Sequence, residues 1–390
     1  MNKKKKICVF SGTRAEYGLL NPLIQKIKAD ACFDLCLIVS GTHLSPEFGM
    51  TFQQIEADGV YIDEKIEILV SSDSPSGVCK SLGLGLIQFT DAITRLNPDM
   101  MVLLGDRYET FAMAVAAVVN TIPIAHIHGG ESTVGAIDES FRHAITKMSH
   151  LHFTCAEPYR DRVIQLGEHP DRVFNVGALG VENIKTMSLL SKQDFYQQMG
   201  FDRGDAFFLV TYHPVTLEGS KTARCFDSLL EALSSDRFKD FKIILTKANA
   251  DKDGRLINQR IDDFVEKNQK RAMAFDSMGQ LRYLSAMQYC TLVIGNSSSG
   301  IIEAPGFKVP VVNIGNRQKG RIKAMNIIDC EDQTDKIVQA VQTGLSTRFK
   351  NLLVNMESPF EKPSTSSAIT DILKTVNLSD IQFKEFYDYT

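Results

Sequence analysis

The chain has 390 residues, too many for one ordinary hydrophobic core and well suited to two domains. It is 44% hydrophobic and 23% charged with a formal net charge of -4, which describes a soluble globular protein and gives no global electrostatic case for nucleic acid. No apolar window approaches the roughly 18 residues of a membrane span, and no long apolar signal segment opens the chain, so the expected location is cytoplasmic. The basic run Lys3 to Lys6 reads as a solvated tail before the first strand. The eight cysteines are scattered singly, Cys32 and Cys36 forming no zinc spacing, and read as reduced thiols.

In chain order, short apolar runs alternate with stretches of helical length: "KICVF", "LCLIVS", "MMVLLG", "IPIAHIH" and "LHFTCA", then "AFFLVTY", "FKIILT", "TLVIGN" and "VPVVNIG". Continuous apolar strands separated by helices indicate α/β domains with parallel sheets covered on both faces. The run of strands pauses around residues 173 to 187 and restarts at Phe207, so the domain junction is expected near residue 178. The stretch 358 to 367 reads as a loop before a last helix.

Each half carries one strand-to-helix turn of special composition. In "CVFSGTRAEYG" the strand is expected to end at Phe10 and a helix to begin near Glu16; in "LVIGNSSSGIIEAPGF" the strand ends near Ile294 and a helix starts among the serines. Free amides at a helix N-terminus favour anions, and small residues admit a phosphate; equally, the serines read as ordinary caps. Neither turn matches GxGxxG or GxxxxGK[ST], which argues against a dehydrogenase or a P-loop NTPase.

Polar residues recur at the ends of the strands. Asp106 and Arg107 follow "VLLG", where open α/β sheets hold ligands; the plainer alternative has Asp106 capping the next helix. Asp138 and Arg142 share a helix face at i, i+4 and could be a surface ion pair. His213 follows a strand and precedes Pro214, Glu303 lies in reach of the serines and of ribose hydroxyls, and Arg317 sits beyond the next strand. His126 and His128 are two apart in an apparent strand, and five of the eight histidines lie between residues 126 and 152, so a metal enzyme is one possibility.

At these residues the sequence resembles the hydrolysing UDP-N-acetylglucosamine 2-epimerases of sialic-acid-type sugar synthesis. "GTRAEYG", "GDRYE", "HGGE" with "IDESFRHAITKMSH", "YHPVT", "GNSSSGIIEAP" and "GNRQKGR" occur in family order from Gly12 to Arg321. The resemblance implies a GT-B architecture: Rossmann-like domains over 1–178 and 179–365, UDP-sugar in the interdomain cleft, and a C-terminal helix, 366–390, packing on the first. It implies hydrolysis of UDP-N-acetylglucosamine to UDP and N-acetylmannosamine through a 2-acetamidoglucal, with no cofactor or metal, in a homodimer supplying sialic or legionaminic acid and capsule synthesis. UDP would be held by Arg14, Ser297, Ser298, Glu303 and Arg317, with His43 and Asn249 completing the substrate-binding set. Asp106, Asp138 and His213 would face the sugar beside Arg107 and Arg142.

The chain departs from the family in one place. Many relatives read H-I-E-G-G-E, with a glutamate where this chain has His128, so Glu131 could replace the lost acid or His128 could act as the base. The "HIHGGE" form is similar to that of the subgroup acting on UDP-N,N'-diacetylbacillosamine, which is the alternative substrate. A GT-B glycosyltransferase and a catalytically silent UDP-sugar sensor are the rival functions.

Overall fold

The computed structural model describes residues 4–70, 72, 74–134, 136–202, 204–215, 221–248 and 253–388. They form two compact units. The first comprises Met1–Glu131, Asp138–Asn183 and Phe360–Thr390, and the second Ser132–Ile137 and Ile184–Pro359. The chain thus passes between units at Asn183, inside the helix Leu179–Thr186, rather than at residue 178. Ser132–Ile137 groups with the second unit, where the Ser132 carbonyl accepts from Arg321 at 3.0 Å.

The first unit is built on a seven-stranded parallel sheet of β1 (Lys5–Ser11), β2 (Phe33–Ser40), β3 (Glu64–Ile66), β4 (Met100–Leu104), β5 (Ile124–Ile127), β6 (Leu151–Thr154) and β7 (Val173–Asn175), in the order β3-β2-β1-β4-β5-β6-β7. The second has six parallel strands, β8 (Phe207–Thr211), β9 (Lys242–Thr246), β10 (Ala272–Phe275), β11 (Leu292–Gly295), β12 (Val311–Ile314) and β13 (Ile327–Cys330), in the order β10-β9-β8-β11-β12-β13. In both, strand order reverses beside the first strand. Such a sheet has a switch point, between β1 and β4 in one unit and between β8 and β11 in the other, where flanking helices leave to opposite faces and a crevice opens.

Side-chain alternation explains why the strands are apolar throughout. Ile7 and Val9 of β1 enter one core with the helix Arg14–Ala29, while Cys8 and Phe10 enter the opposite core with the helices Pro75–Leu96 and Tyr108–Val119. In β8, Phe208 and Val210 serve one face and Phe207 and Leu209 the other.

In place of one helix over 366–390, the C-terminal segment forms the helix Thr365–Thr375 and a four-residue helix, Leu378–Ile381. The first of these anchors the segment. It packs its Ile369 and Leu373 into the core of the first unit, and the Glu182 carboxylate accepts from its Ser366 N–H at 2.7 Å and hydroxyl at 2.8 Å. Lys5 is no solvated tail: it lies in β1 and its ammonium donates to the carbonyls of Leu373 and Val376 at the end of that helix, at 3.0 and 2.5 Å. Lys6 likewise donates to the Leu96 carbonyl at 3.0 Å. No helix among the described residues is long and apolar enough to cross a membrane.

Candidate active site

In the first unit the two turns at the switch point lie side by side, a Cβ at Gly12 falling 3.3 Å from that of Glu109. The helix after β1 begins at Arg14, two residues before the sequence suggests, because Thr13 caps it: its hydroxyl accepts the Glu16 N–H at 3.3 Å, and the Glu16 carboxylate accepts from Gly12 and Thr13 amides at 2.7 and 3.2 Å. Glu16 is buried beside the buried Glu109, and burial first, then Glu109, pushes its pKa to about 8 against Arg107 and the two amides. Arg107 in turn donates to both oxygens of Glu109 at 3.2 Å. His43 is fully buried behind this turn. The Ser11 hydroxyl donates to the Thr13 carbonyl, so His43 Nε2 donates to Ser11 at 2.9 Å and Nδ1 accepts from Thr51 at 2.8 Å. Burial lowers its pKa to about 4, which keeps the ring neutral.

Beyond β4, Asp106 does not cap the following helix, whose N-cap is Arg107 without a side-chain bond. Its carboxylate is held instead by Arg142, which also donates to Glu139 at 2.7 Å and to the Glu131 carbonyl at 3.1 Å. With only 1% of its surface exposed, Arg142 is no surface residue, and Asp106 and Glu139, not Asp138 alone, are its partners. Burial works against the charge, but Asp106, Glu131, Glu139 and Asp138 outweigh it and raise the guanidinium pKa. Asp138 opens the helix Asp138–Met148 on which Arg142 stands.

The two histidines of "HIHGGE" do not act as a metal pair. His126, inside β5, is fully buried; its Nε2 donates to the Gly105 carbonyl at 2.7 Å and its Nδ1 accepts from Thr146 at 3.1 Å. Burial drives its pKa down to about 3, as for a core imidazole. His128 lies just beyond β5 with φ at +68°, which ends the alternation that would have set it on the face of His126. Its Nδ1 is 2.6 Å from Glu131 Oε1, which the Cys155 thiol approaches at 3.3 Å. Donor atoms of these three lie within 4.8 Å of one another; they form a hydrogen-bonded cluster, which a metal ion could bridge only by displacing the imidazole and thiol hydrogens. His152, the register partner of His126 on β6, is paired with Glu168 at 2.9 Å.

The second unit repeats the layout. Gly295 ends β11 with φ at +139°, and a Cβ there would lie 1.9 Å from the Thr211 carbonyl oxygen; only glycine lets the two strands end side by side. The next residue, Asn296, is buried and clamps His213: its side chain accepts from the His213 N–H at 2.7 Å and donates to the His213 carbonyl at 2.8 Å. The Asn296 carbonyl accepts from Arg317 at 3.0 Å and Gln318 at 2.7 Å. The short helix Ser298–Ile302 is capped by Ser297, so the capping alternative accounts for that serine's geometry. Ser298 is the first residue of the helix and Glu303 its C-cap; burial raises the Glu303 pKa to about 7. Tyr283 bonds Ser299 at 2.6 Å, and burial, with Glu303, pushes its pKa up to about 12. Asn249 lies outside the described residues.

Sequence reasoning passed over Glu16, Glu109, Asn296 and Gln318, which hold the turns. Each stands within or next to a quoted motif, one or a few residues from a strand end, and that position is the signal that could have found them.

A family model for UDP-N-acetylglucosamine 2-epimerase matches residues 25–374. The chain belongs to the hydrolysing UDP-N-acetylglucosamine 2-epimerase family. It is therefore an enzyme of that epimerase family. A relative from Campylobacter jejuni, GDP/UDP-N,N'-diacetylbacillosamine 2-epimerase (hydrolyzing), is 44% identical over 386 residues, 99% of each chain. A Legionella pneumophila UDP-N,N'-diacetylbacillosamine 2-epimerase is 33% identical, covering 96% of this chain and 97% of the relative. Among solved structures, the UDP-GlcNAc 2-epimerase from Neisseria meningitidis bound to UDP-GlcNAc superposes with a TM-score of 0.79 at 18% identity, over 95% of this chain and 99% of that one. The epimerase family fold is GT-B, and the two parallel-sheet units described above are its two Rossmann-like domains.

Proposed function

We propose that the chain hydrolyses UDP-N,N'-diacetylbacillosamine to UDP and the free 2,4-diacetamido sugar inverted at C2. The observation that carries this reading is the full-length identity of 44% to a relative named for that substrate, with a second at 33%. UDP-N-acetylglucosamine, expected first from the motifs, becomes the second reading; a Neisseria relative named for it is 28% identical over 88% of this chain.

In the proposed reaction the C2 proton leaves, the C1–O bond to the diphosphate breaks with its electron pair, and a 2-acetamidoglucal forms. Water then adds its oxygen to C1 while a proton returns to C2 from the opposite face. Cations and oriented amides stabilise the departing diphosphate, and positioned acids and bases move the protons. Arg14 and His213 are assigned to the diphosphate, and Ser297, Ser298, Glu303, Arg317, His43 and Asn249 to the remaining substrate contacts. Asp106 and Asp138 are assigned to the hydration step, with Arg107 and Arg142 fixing the carboxylates. The same reading makes the protein a cytoplasmic homodimer without a metal, supplying legionaminic-type acids for surface polysaccharide.

Released sugar followed by NMR, with UDP-N,N'-diacetylbacillosamine, its GDP counterpart and UDP-N-acetylglucosamine as separate substrates, tests the assignment. The proposal expects kcat/KM at least about tenfold higher for a diacetylbacillosamine nucleotide, the discrimination that a few contacts to the C4 acetamido and C6 methyl groups can give. Equal or better turnover of UDP-N-acetylglucosamine would return the chain to the second reading.

A further inference from the structure

His128 adopts a conformation that a non-glycine residue takes only when its surroundings hold it. Its φ is +68°. Three contacts fix it: the backbone N–H donates to the Phe153 carbonyl at 2.9 Å, Nδ1 meets Glu131 at 2.6 Å, and Arg162 donates to the carbonyl of Gly130 within the same loop. His128 is 7% exposed and Glu131 2%.

The hydrogen bonds decide the tautomer. Glu131 lies beside the buried, charged Arg142, which favours its ionised form, and an ionised carboxylate only accepts; Glu131 then takes the Nδ1 hydrogen of His128 and the thiol hydrogen of Cys155 on one oxygen, and the neutral imidazole carries its lone pair at Nε2. That Nε2 is buried and has no hydrogen-bond partner among the described residues. A buried, unpaired acceptor on a ring held by a buried carboxylate is costly for folding alone, and it is the arrangement of a general base with its orienting acid. The Glu131 carbonyl accepts from Arg142, the residue that also holds Asp106, so the pair belongs to the same hydrogen-bonded assembly.

We propose that His128 and Glu131 form a catalytic dyad in which His128 Nε2 removes the C2 proton of the UDP-sugar and Glu131 is its positioning residue. This rests on the epimerase reading above. The Nε2 lone pair takes the proton as the C2–H pair becomes the C1=C2 bond and the C1–O pair leaves with UDP. The imidazolium charge is held by Glu131 through Nδ1–H. The dyad gives Asp106, already engaged by Arg142, no part in this first step.

The test compares wild type, His128→Gln and Glu131→Gln for UDP release, KM, UDP affinity by calorimetry, and long-range 1H–15N spectra of histidine-labelled protein. The dyad expects kcat to fall by about 10²- to 10⁴-fold in His128→Gln with UDP affinity within about threefold, the loss typical of a general base. Glu131→Gln should lower kcat with KM unchanged, and in wild type the His128 signals should show Nδ1 protonated and Nε2 bare. A His128→Gln enzyme within threefold of wild-type kcat, a proton on Nε2 of the neutral ring, or activity lost to chelation and restored by zinc overturns the dyad. If His128→Gln does not fold, Glu131→Gln and the wild-type spectra decide. Wild type that releases UDP from no sugar nucleotide overturns the epimerase reading and the dyad together, whereas active wild type with an equally active His128→Gln overturns the dyad alone.

Discussion

Replacing Glu16 by glutamine should flatten the pH dependence of stability. Glu16 is 6% exposed, shares its surroundings with the buried Glu109, and has its pKa pushed by burial, and secondly by Glu109, to about 8. In the unfolded chain the same group titrates in the ordinary carboxyl range, so between about pH 4.5 and 8 the folded protein binds a proton that the unfolded chain does not. Stability is therefore fully present below the unfolded pKa and is lost as pH rises through the folded one, by roughly 1.4 kcal/mol per pH unit and about 3–5 kcal/mol in all. Glutamine keeps a carbonyl for the Gly12 and Thr13 amides, now held at 2.7 and 3.2 Å, and cannot charge. Guanidinium unfolding of both proteins from pH 5 to 9 should give curves that agree within about 1 kcal/mol at pH 5, diverge steadily from there to about pH 8 and run parallel above it, the variant being more stable. Parallel curves would refute the assignment of a protonated Glu16 to the folded state.

Gly295→Ala sets a Cβ 1.9 Å from the Thr211 carbonyl oxygen and should cost more than about 4 kcal/mol or abolish soluble protein, whereas Gly315→Ala, at φ +71° in open space, should cost about 1 kcal/mol; similar melting temperatures would contradict this. Asn296→Ala strips the His213 backbone of both bonds and should lower stability by about 2–4 kcal/mol and weaken UDP binding, read by thermal melts and calorimetry; unchanged UDP affinity would remove the clamp from the account. Lys384 donates to the Lys147 and Ser149 carbonyls at 2.6 Å and to Glu168 at 2.8 Å, and Tyr387 N–H bonds the Gly167 carbonyl. Lys384→Met should speed amide exchange of Tyr387 at least about tenfold while activity stays within twofold, and unchanged exchange would show that this lysine does not fasten the tail.

The nine central strands were legible because burial on both faces demands an unbroken apolar run. The four that were not, β3, β7, β10 and β13, are the edges of the two sheets, three or four residues long and partly open, so no run of that kind marks them. The turns at the switch points were legible too, as small residues just past a strand. Their internal bonding was not. Spacing suggested Asp106 as a cap and Asp138 with Arg142 as a surface pair, but Arg142 reaches across 36 positions to Asp106, a link no local pattern carries. The metal reading of His126 and His128 assumed strand alternation up to residue 128, which the left-handed conformation there ends.

The central claim is that a proton leaves C2 and another returns while UDP is expelled. Incubation with UDP-N,N'-diacetylbacillosamine in D2O, without any acceptor and with NMR of the products, tests it most directly. UDP should appear together with a free sugar of inverted C2 configuration carrying one deuterium at C2; a released sugar with protium at C2, or no release, would contradict the proton exchange.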